Sequence, residues 1–277
     1  MSGECIGVIL TTYNRVENTL TCLKHLKNCD LPKNIYLKIF IADSNSPDNT
    51  LKIVKSTYPD IEIFNVGNDV FWNQGMRLAW KKALKFQIDY FLWLNDDTYL
   101  NKDALKTLIK DYFSLFNSSI IVGVTDHESE LTYGGRIKKY NNELLKPNGS
   151  PQKATFINGN CVLVSNKIYR KLGNLNSYYN HSLGDIDYGL RAIKNNIGIY
   201  ISSHVVGSCL PNFFIWYDPK FSFLKRCRLL ISPKGLPLKD YVYFNYTFFG
   251  IFKVIKFFAS TTIALFYPKL FIKIQKK

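Results

Sequence analysis

An α/β fold with a mostly parallel sheet and helices on both sides is predicted by three observations. Apolar runs of strand length alternate with segments of helical period. The strand-like runs end abruptly in clusters of polar residues. A chain of 277 residues that is 47% hydrophobic is long enough to bury the core such a fold needs.

Residues 6–10 form the first predicted strand. Asn14 is read as the cap of the next helix, with Glu17 at the capping-box position and Val16, Leu20, Leu23 and Leu26 along one stripe. A second strand over 37–42 ends in Asp43-Ser44-Asn45-Ser46, and Pro47 at a first helical position opens a helix through Ser56. Residues 61–66 give a third strand, after which Met76, Ala79, Trp80, Ala83 and Leu84 share one helical face; residues 90–94 give a fourth. Beyond Ile120 the rhythm changes. Gly134-Gly135 and Pro147-Asn148-Gly149-Ser150-Pro151 are turn signals, 161–165 is a strand, 185–194 a helix, and 199–201 with 205–206 return to strand. In sheets of this kind ligands bind outside the carboxyl ends of the strands, so residues 11–14, 43–46, 67–75 and 95–97 are expected to converge on one crevice.

Two acidic clusters stand out. Asn95-Asp96-Asp97 follows the apolar run Tyr90-Phe91-Leu92-Trp93-Leu94, and unpaired carboxylates beside a core are costly. A divalent cation is one remedy, and hard oxygen ligands suit Mg2+ or Mn2+. Asp185 and Asp187 form the second cluster, which can supply a base; Arg191 lies four residues after Asp187, at ion-pair spacing on a helix. Each cluster also has a plain structural reading. Asp43 and its neighbours make a turn and helix cap, the 95–97 cluster can cap a helix near Lys102, Asp185 can be a helix N-terminal carboxylate, and Trp72 can be core.

The six cysteines contain no C-x-x-C pair and the N-terminus lacks a signal-peptide layout, so free thiols in a reducing, cytoplasmic compartment are expected. Cys22 and Cys29 read as helix-packing residues. His25, His127 and His181 read as surface or loop residues. Charge is unevenly placed: of a net +15, the segment from Phe221 onward carries eleven Lys or Arg against the single acid Asp240. Residues 241–272 are dense in Phe, Tyr and Ile, with Lys253, Lys256 and Lys269 interspersed. Lys253, Lys256 and Pro268 interrupt any spanning run, which favours interfacial helices on an anionic membrane. A nucleic-acid clamp has no accompanying recognition motif, so no nucleic-acid partner is expected; a helical oligomer interface is the other reading.

Taken together, these motifs resemble the inverting family 2 glycosyltransferases, particularly bacterial rhamnosyltransferase-like members of polysaccharide assembly. The resemblance runs from about residue 7 to residue 210. It rests on Val8-Ile9-Leu10-Thr11-Thr12-Tyr13-Asn14-Arg15, Asp43, the segment from Asn68 to Met76, Asn95-Asp96-Asp97, Asn158-Gly159, and Asp185-x-Asp187-x-x-x-Arg191. It implies a Rossmann-like GT-A fold over 1–212, with a nucleotide-sugar half (1–120) and an acceptor half (121–212); composition and charge add a helical, basic and aromatic extension over 213–277. It implies Asp97 as metal ligand for Mn2+ or Mg2+, and Asp185 as the catalytic base supported by Asp187 and Arg191. Thr11, Tyr13, Asn14, Asp43, Asp69, Trp72, Gly75, Asn95 and Asp96 would line the nucleotide sugar. Asn95 replaces the first acid of the usual D-x-D, and His204 or Cys209 stands near where a further ligand is often found. The implied reaction moves a sugar from a nucleotide diphosphate to a glycan acceptor, lipid-linked in O-antigen or capsule assembly, on the inner face of the cytoplasmic membrane. A catalytically silent sugar-nucleotide or glycan binder is the rival reading.

Overall fold

The central strand-like runs pair into one sheet because they are apolar on both of their alternating faces. In β1 (Glu4–Thr12), Cys5 and Ile9 face one buried layer, and Ile6, Val8 and Leu10 face the other. In β4 (Tyr90–Leu94) the split is Phe91 and Trp93 against Tyr90, Leu92 and Leu94. The computed structural model describes residues 3–137, 143–212 and 215–275. It divides into two compact units: Met1–Ser177 with Gly184–Pro211, and Tyr178–Leu183 with Asn212–Lys277. The expected start of the extension, Phe213, lies outside the described residues.

The first unit holds the sheet. Besides β1 and β4 its strands are β2 (Ile35–Asp43), β3 (Glu62–Asn65), β5 (Thr98–Leu100), β6 (Ser119–His127), β7 (Glu130–Tyr133), β8 (Gln152–Lys153), β9 (Cys161–Ser165) and β10 (Gly198–Cys209). Their order is β3-β2-β1-β4-β9-β6-β10-β5, with β7 beside β6 and β8 beside β10. β1 pairs in parallel with β2 and β4, β2 with β3, and β6 with β10. The sheet is mixed, with its parallel pairing interrupted at the centre, where β9 runs antiparallel to both β4 and β6. A buried strand shows the same apolar run whichever way it points, so the reversal leaves no mark in the sequence.

Helices α1 (Val16–Lys27), α2 (Thr50–Thr57), α3 (Trp72–Ala83), α4 (Ala104–Ser114), α5 (Asn166–Leu172) and α6 (Gly184–Lys194) belong to this unit. Met76, Ala79, Trp80 and Ala83 of α3 are buried, whereas Leu84, read as part of that face, follows the helix and is exposed. Trp80 packs its ring among those of Phe91, Trp93, Tyr169 and Tyr188 at centroid distances of 5.1–5.7 Å.

Two helix starts differ from the sequence reading. Asn14 does not cap α1: it adopts a left-handed φ of 53°, and the helix opens at Val16 after Arg15. The Val16 N–H is taken instead by Asp48 Oδ2 at 3.0 Å, from the loop after β2. Pro47 likewise does not open α2, which begins at Thr50 with Asp48 Oδ1 accepting the Thr50 N–H at 3.1 Å. One carboxylate therefore serves two helix ends.

The second unit contains α7 (Phe223–Ile231), α8 (Leu238–Phe249), α9 (Ile251–Phe266) and α10 (Pro268–Gln275). Along α9, Val254, Thr261 and Ala264 are buried while Phe252 and Ile255 are exposed. Tyr178 stacks on Tyr243 at 3.8 Å and Tyr241 on Phe257 at 5.6 Å. Among the described residues no helix is long and apolar enough to cross a membrane.

Candidate active site

The carboxyl ends of β1, β2, β3 and β4 lie side by side, and the loops leaving them are stitched together. Asn14 N–H donates to Ser46 Oγ at 2.9 Å, Ser44 Oγ to the Gly67 carbonyl at 3.2 Å, and Asn45 Nδ2 to Asn68 Oδ1 at 2.9 Å. Asp43 is buried and closes its own loop, accepting from Ser46 N–H at 3.1 Å and Ser46 Oγ at 2.5 Å. Tyr13 and Asp69 stand exposed at the rim, Asp69 with a left-handed φ of 59°. Thr11 donates to the Ala42 carbonyl at 3.1 Å, and Gly75 of α3 comes so close to it that a Cβ there would collide with the Thr11 side chain. Gly75 is what lets α3 settle on the end of β1.

The reversed strand β9 completes the site. Because Leu94 pairs with Cys161, the segment entering β9 meets the segment leaving β4, and Asn95 N–H donates to the Asn160 carbonyl at 2.9 Å. β5 folds back on β10 so that Thr98 faces Cys209, which brings Cys209 beside Asp97. Cys209 Sγ lies 3.8 Å from Asp97 Oδ1 and accepts from Asn160 Nδ2 at 3.4 Å. Burial pushes its thiol up to about 11. His204 is exposed at the irregular middle of β10, five residues before Cys209.

Asp96 and Asp97 are held differently. Asp96 is buried at 5% exposure, and Thr19 Oγ1 lies 3.4 Å from its Oδ2. Burial pushes it up to about 6, against the opposing charge of Arg15 and with a contribution from Asp97. The Arg15 guanidinium bridges both acids, with Nη1 3.3 Å from Asp96 Oδ1 and 2.7 Å from Asp97 Oδ2. In the sequence Arg15 is only a lone basic residue on a polar strand-end loop. Asn95 points elsewhere, accepting the Trp72 indole N–H on Oδ1 at 2.7 Å.

Trp72 carries the connection to the second acidic cluster. A Cβ on Gly159 would lie 2.5 and 2.6 Å from Trp72 ring carbons and 3.3 Å from Asp185 Cβ, so the glycine is the space in which ring and acid approach. Gly159 N–H donates to Asp185 Oδ2 at 2.9 Å, and Ile186 N–H to Asp185 Oδ1 at 2.8 Å. Burial raises the Asp185 carboxyl above its ordinary range, opposed by the N–H groups of Ile186, Gly159 and Asp185 itself. Each oxygen keeps lone-pair capacity for a proton or a hydroxyl.

Asp187 and Arg191 fasten α6 from behind. Arg191 Nε donates to Asp187 Oδ1 at 2.7 Å, while Nη1 and Nη2 donate to the carbonyls of Leu172 at 2.8 Å and Asn174 at 3.1 Å. The same loop is gripped by α3, through Asn73 Nδ2 on the Asn176 carbonyl at 2.9 Å and Arg77 Nε on the Leu175 carbonyl at 2.8 Å. Residues 172–176 thus tie the helix bearing Asp185 to the helix bearing Trp72.

Among the described residues no group of three or more His, Cys, Asp or Glu side chains is placed to hold a metal ion. Mg2+ is commonly held by one or two carboxylates together with substrate phosphates, and Asp97 with Asp96 fits that smaller donor set.

The family model for glycosyl transferase family 2 matches residues 7–173. The chain belongs to that family. A curated relative from Methanococcus voltae, a dolichyl N-acetyl-alpha-D-glucosaminyl phosphate 3-beta-D-2,3-diacetamido-2,3-dideoxy-beta-D-glucuronosyltransferase, is 28% identical over 110 residues, which are 39% of this chain and 33% of that protein. The match thus spans about a third of that relative's length. The fold is shared with S. aureus TarS 1–349 in complex with UDP-GlcNAc, at a TM-score of 0.56 and 15% identity, covering 88% of this chain and 73% of that one. The mannosyltransferase PcManGT from Pyrobaculum calidifontis, in complex with GDP-Man and Mn2+, matches at a TM-score of 0.56 and 16% identity over 98% of this chain and 84% of its own. The chain has the GT-A fold, a central sheet flanked by helices.

Proposed function

We propose that this chain transfers a sugar from a nucleotide diphosphate sugar to a glycan acceptor, with inversion at the anomeric carbon. The observation that carries this reading is the link from Asp185 through Gly159 and Trp72 to Asn95, which connects a half-buried carboxylate of raised proton affinity to the strand-end segment that carries Asp96 and Asp97. Thr11, Tyr13, Asn14 and Asp43 take the nucleoside side of the crevice, and Asp69, Trp72, Gly75, Asn95 and Asp96 the ribose, diphosphate and sugar. Asp185 accepts the proton of the acceptor hydroxyl as its oxygen bonds to the anomeric carbon. The bond from that carbon to the diphosphate breaks on the opposite face, releasing the nucleoside diphosphate. Asp187 and Arg191 hold the helix that carries the base. Asp97, with Asp96, would hold Mn2+ or Mg2+, which when bound supplies positive charge against the departing diphosphate.

A panel of UDP-, GDP- and dTDP-sugars, each with Mn2+ or Mg2+, tests the reading by calorimetric binding and by release of nucleoside diphosphate. Metal-dependent release from one donor supports a transferase. Binding with no release, even with glycan acceptors present, would leave a sugar-nucleotide binder instead.

The spacing at Gly159 gives a sharper expectation. Gly159→Ala forces Trp72 and Asp185 apart, and displacement of a catalytic group by about 1 Å can cost on the order of a hundredfold in rate. Transfer should fall by about that factor, for a stability loss of roughly 1–3 kcal/mol. Unchanged transfer in a folded Gly159→Ala would separate Trp72 from the chemistry.

The acceptor is proposed to be lipid-linked, in cell-surface polysaccharide assembly at the inner face of the cytoplasmic membrane. The second unit supports this: Phe252 is 84% exposed, with Ile255, Phe258 and Leu270 also exposed, and Lys253, Lys256 and Lys269 lie among them. Co-sedimentation with vesicles containing phosphatidylserine should exceed that with phosphatidylcholine vesicles and weaken with salt. A Phe252→Glu, Ile255→Glu variant should lose it. Equal binding by that variant would remove α9 from the contact.

A further inference from the structure

We propose that Arg15 and a divalent cation are alternative partners of Asp97, so that Arg15 sets how tightly the site takes up the cation. The proposal rests on the reading of Asp97 as the metal ligand. A hard cation binds a carboxylate oxygen at about 2.0–2.1 Å and repels any positive group sharing that oxygen. Arg15 Nη1 already lies 2.7 Å from Asp97 Oδ2 and 3.3 Å from Asp96 Oδ1, within the space such an ion would enter.

The surroundings decide which partner can yield. Asp96 cannot move away: it is buried and next to Thr19. Asp97 Oδ1 faces the Cys209 thiol at 3.8 Å, a group that brings no positive charge in place of the guanidinium. Arg15 is different. Its side chain is 49% exposed, it stands just before the first turn of α1, and that helix end takes its cap from Asp48 rather than from Arg15. The guanidinium can therefore leave the acids without unfolding anything around it.

Two consequences follow for the donor-free protein. The acid pair is already neutralised in part, so a cation entering alone must first separate an ion pair. A nucleotide diphosphate brings its own negative charge and offsets that cost, so cation and donor bind better together than either alone.

The test is a titration of the full chain with Mn2+ alone, read by loss of the free-ion electron paramagnetic resonance signal. Arg15→Gln should tighten Mn2+ binding by about tenfold, Arg15→Lys should stay close to wild type, and Asp97→Asn should lose the site. Because the expected effect is a gain of affinity, a misfolded variant cannot mimic it. Unchanged or weaker binding in Arg15→Gln, with binding lost in Asp97→Asn, would overturn the competition while leaving Asp97 as the ligand. Retained binding in Asp97→Asn would overturn both. No turnover is needed, so neither outcome depends on finding the right donor.

Discussion

Replacing Asp185 by Asn is expected to lower sugar transfer by roughly 10²–10⁴-fold, the usual contribution of a positioned general base, while donor affinity stays near that of wild type. The amide keeps an oxygen for the Gly159 N–H but cannot take a proton. Because burial raises this carboxyl, the acid limb of the wild-type pH profile should lie above the ordinary carboxylate range. Activity should fall as pH drops through that raised value.

Stability should move the other way. A carboxyl whose folded pKa is raised binds its proton more tightly in the folded chain than in the unfolded one. Its contribution is therefore fully present below the unfolded pKa and is lost as pH rises through the folded value. At neutral pH the ionised Asp185 is a cost, and Asp185→Asn should melt at the same temperature as wild type or higher. A variant that loses transfer, donor binding and thermal stability together would make Asp185 a structural residue.

Asp97→Ala should act on the other half of the reaction. The divalent cation would lose its carboxylate, so metal-dependent donor binding should fall by at least tenfold, and the addition of Mn2+ should no longer tighten it. Calorimetry with and without the ion checks this. Unaltered Mn2+ dependence in Asp97→Ala would move the ligand elsewhere in the crevice.

How much of this was legible beforehand depended on whether the deciding contact was local. Strands β4 and β9 could be bounded to the residue, because an apolar run between polar clusters marks both ends. The start of α1 could not. Its cap is Asp48, brought from the loop beyond β2, and the nearer Asn14 offered a local pattern that the tertiary contact overrode. The four strand-end loops could be expected to meet from strand direction alone. The means by which Asp185 reaches them could not, since it needs β9 reversed between β4 and β6, and Gly159 free of a side chain. Arg15 ends the polar loop after β1, and its role there is not legible in the sequence. Its partners Asp96 and Asp97 are far along the chain, and a lone arginine gives no sign of the acids it will meet.

The central claim is that Asp185 performs chemistry on a donor bound beside Asp97. It is tested most directly by following nucleoside diphosphate release, in one experiment, from the donor that binds wild type. Wild type and Asp185→Asn are compared at matched donor saturation, with and without Mn2+. The account predicts Mn2+-dependent release by wild type and near-silence from Asp185→Asn at equal donor occupancy. Equal release by both proteins would contradict it.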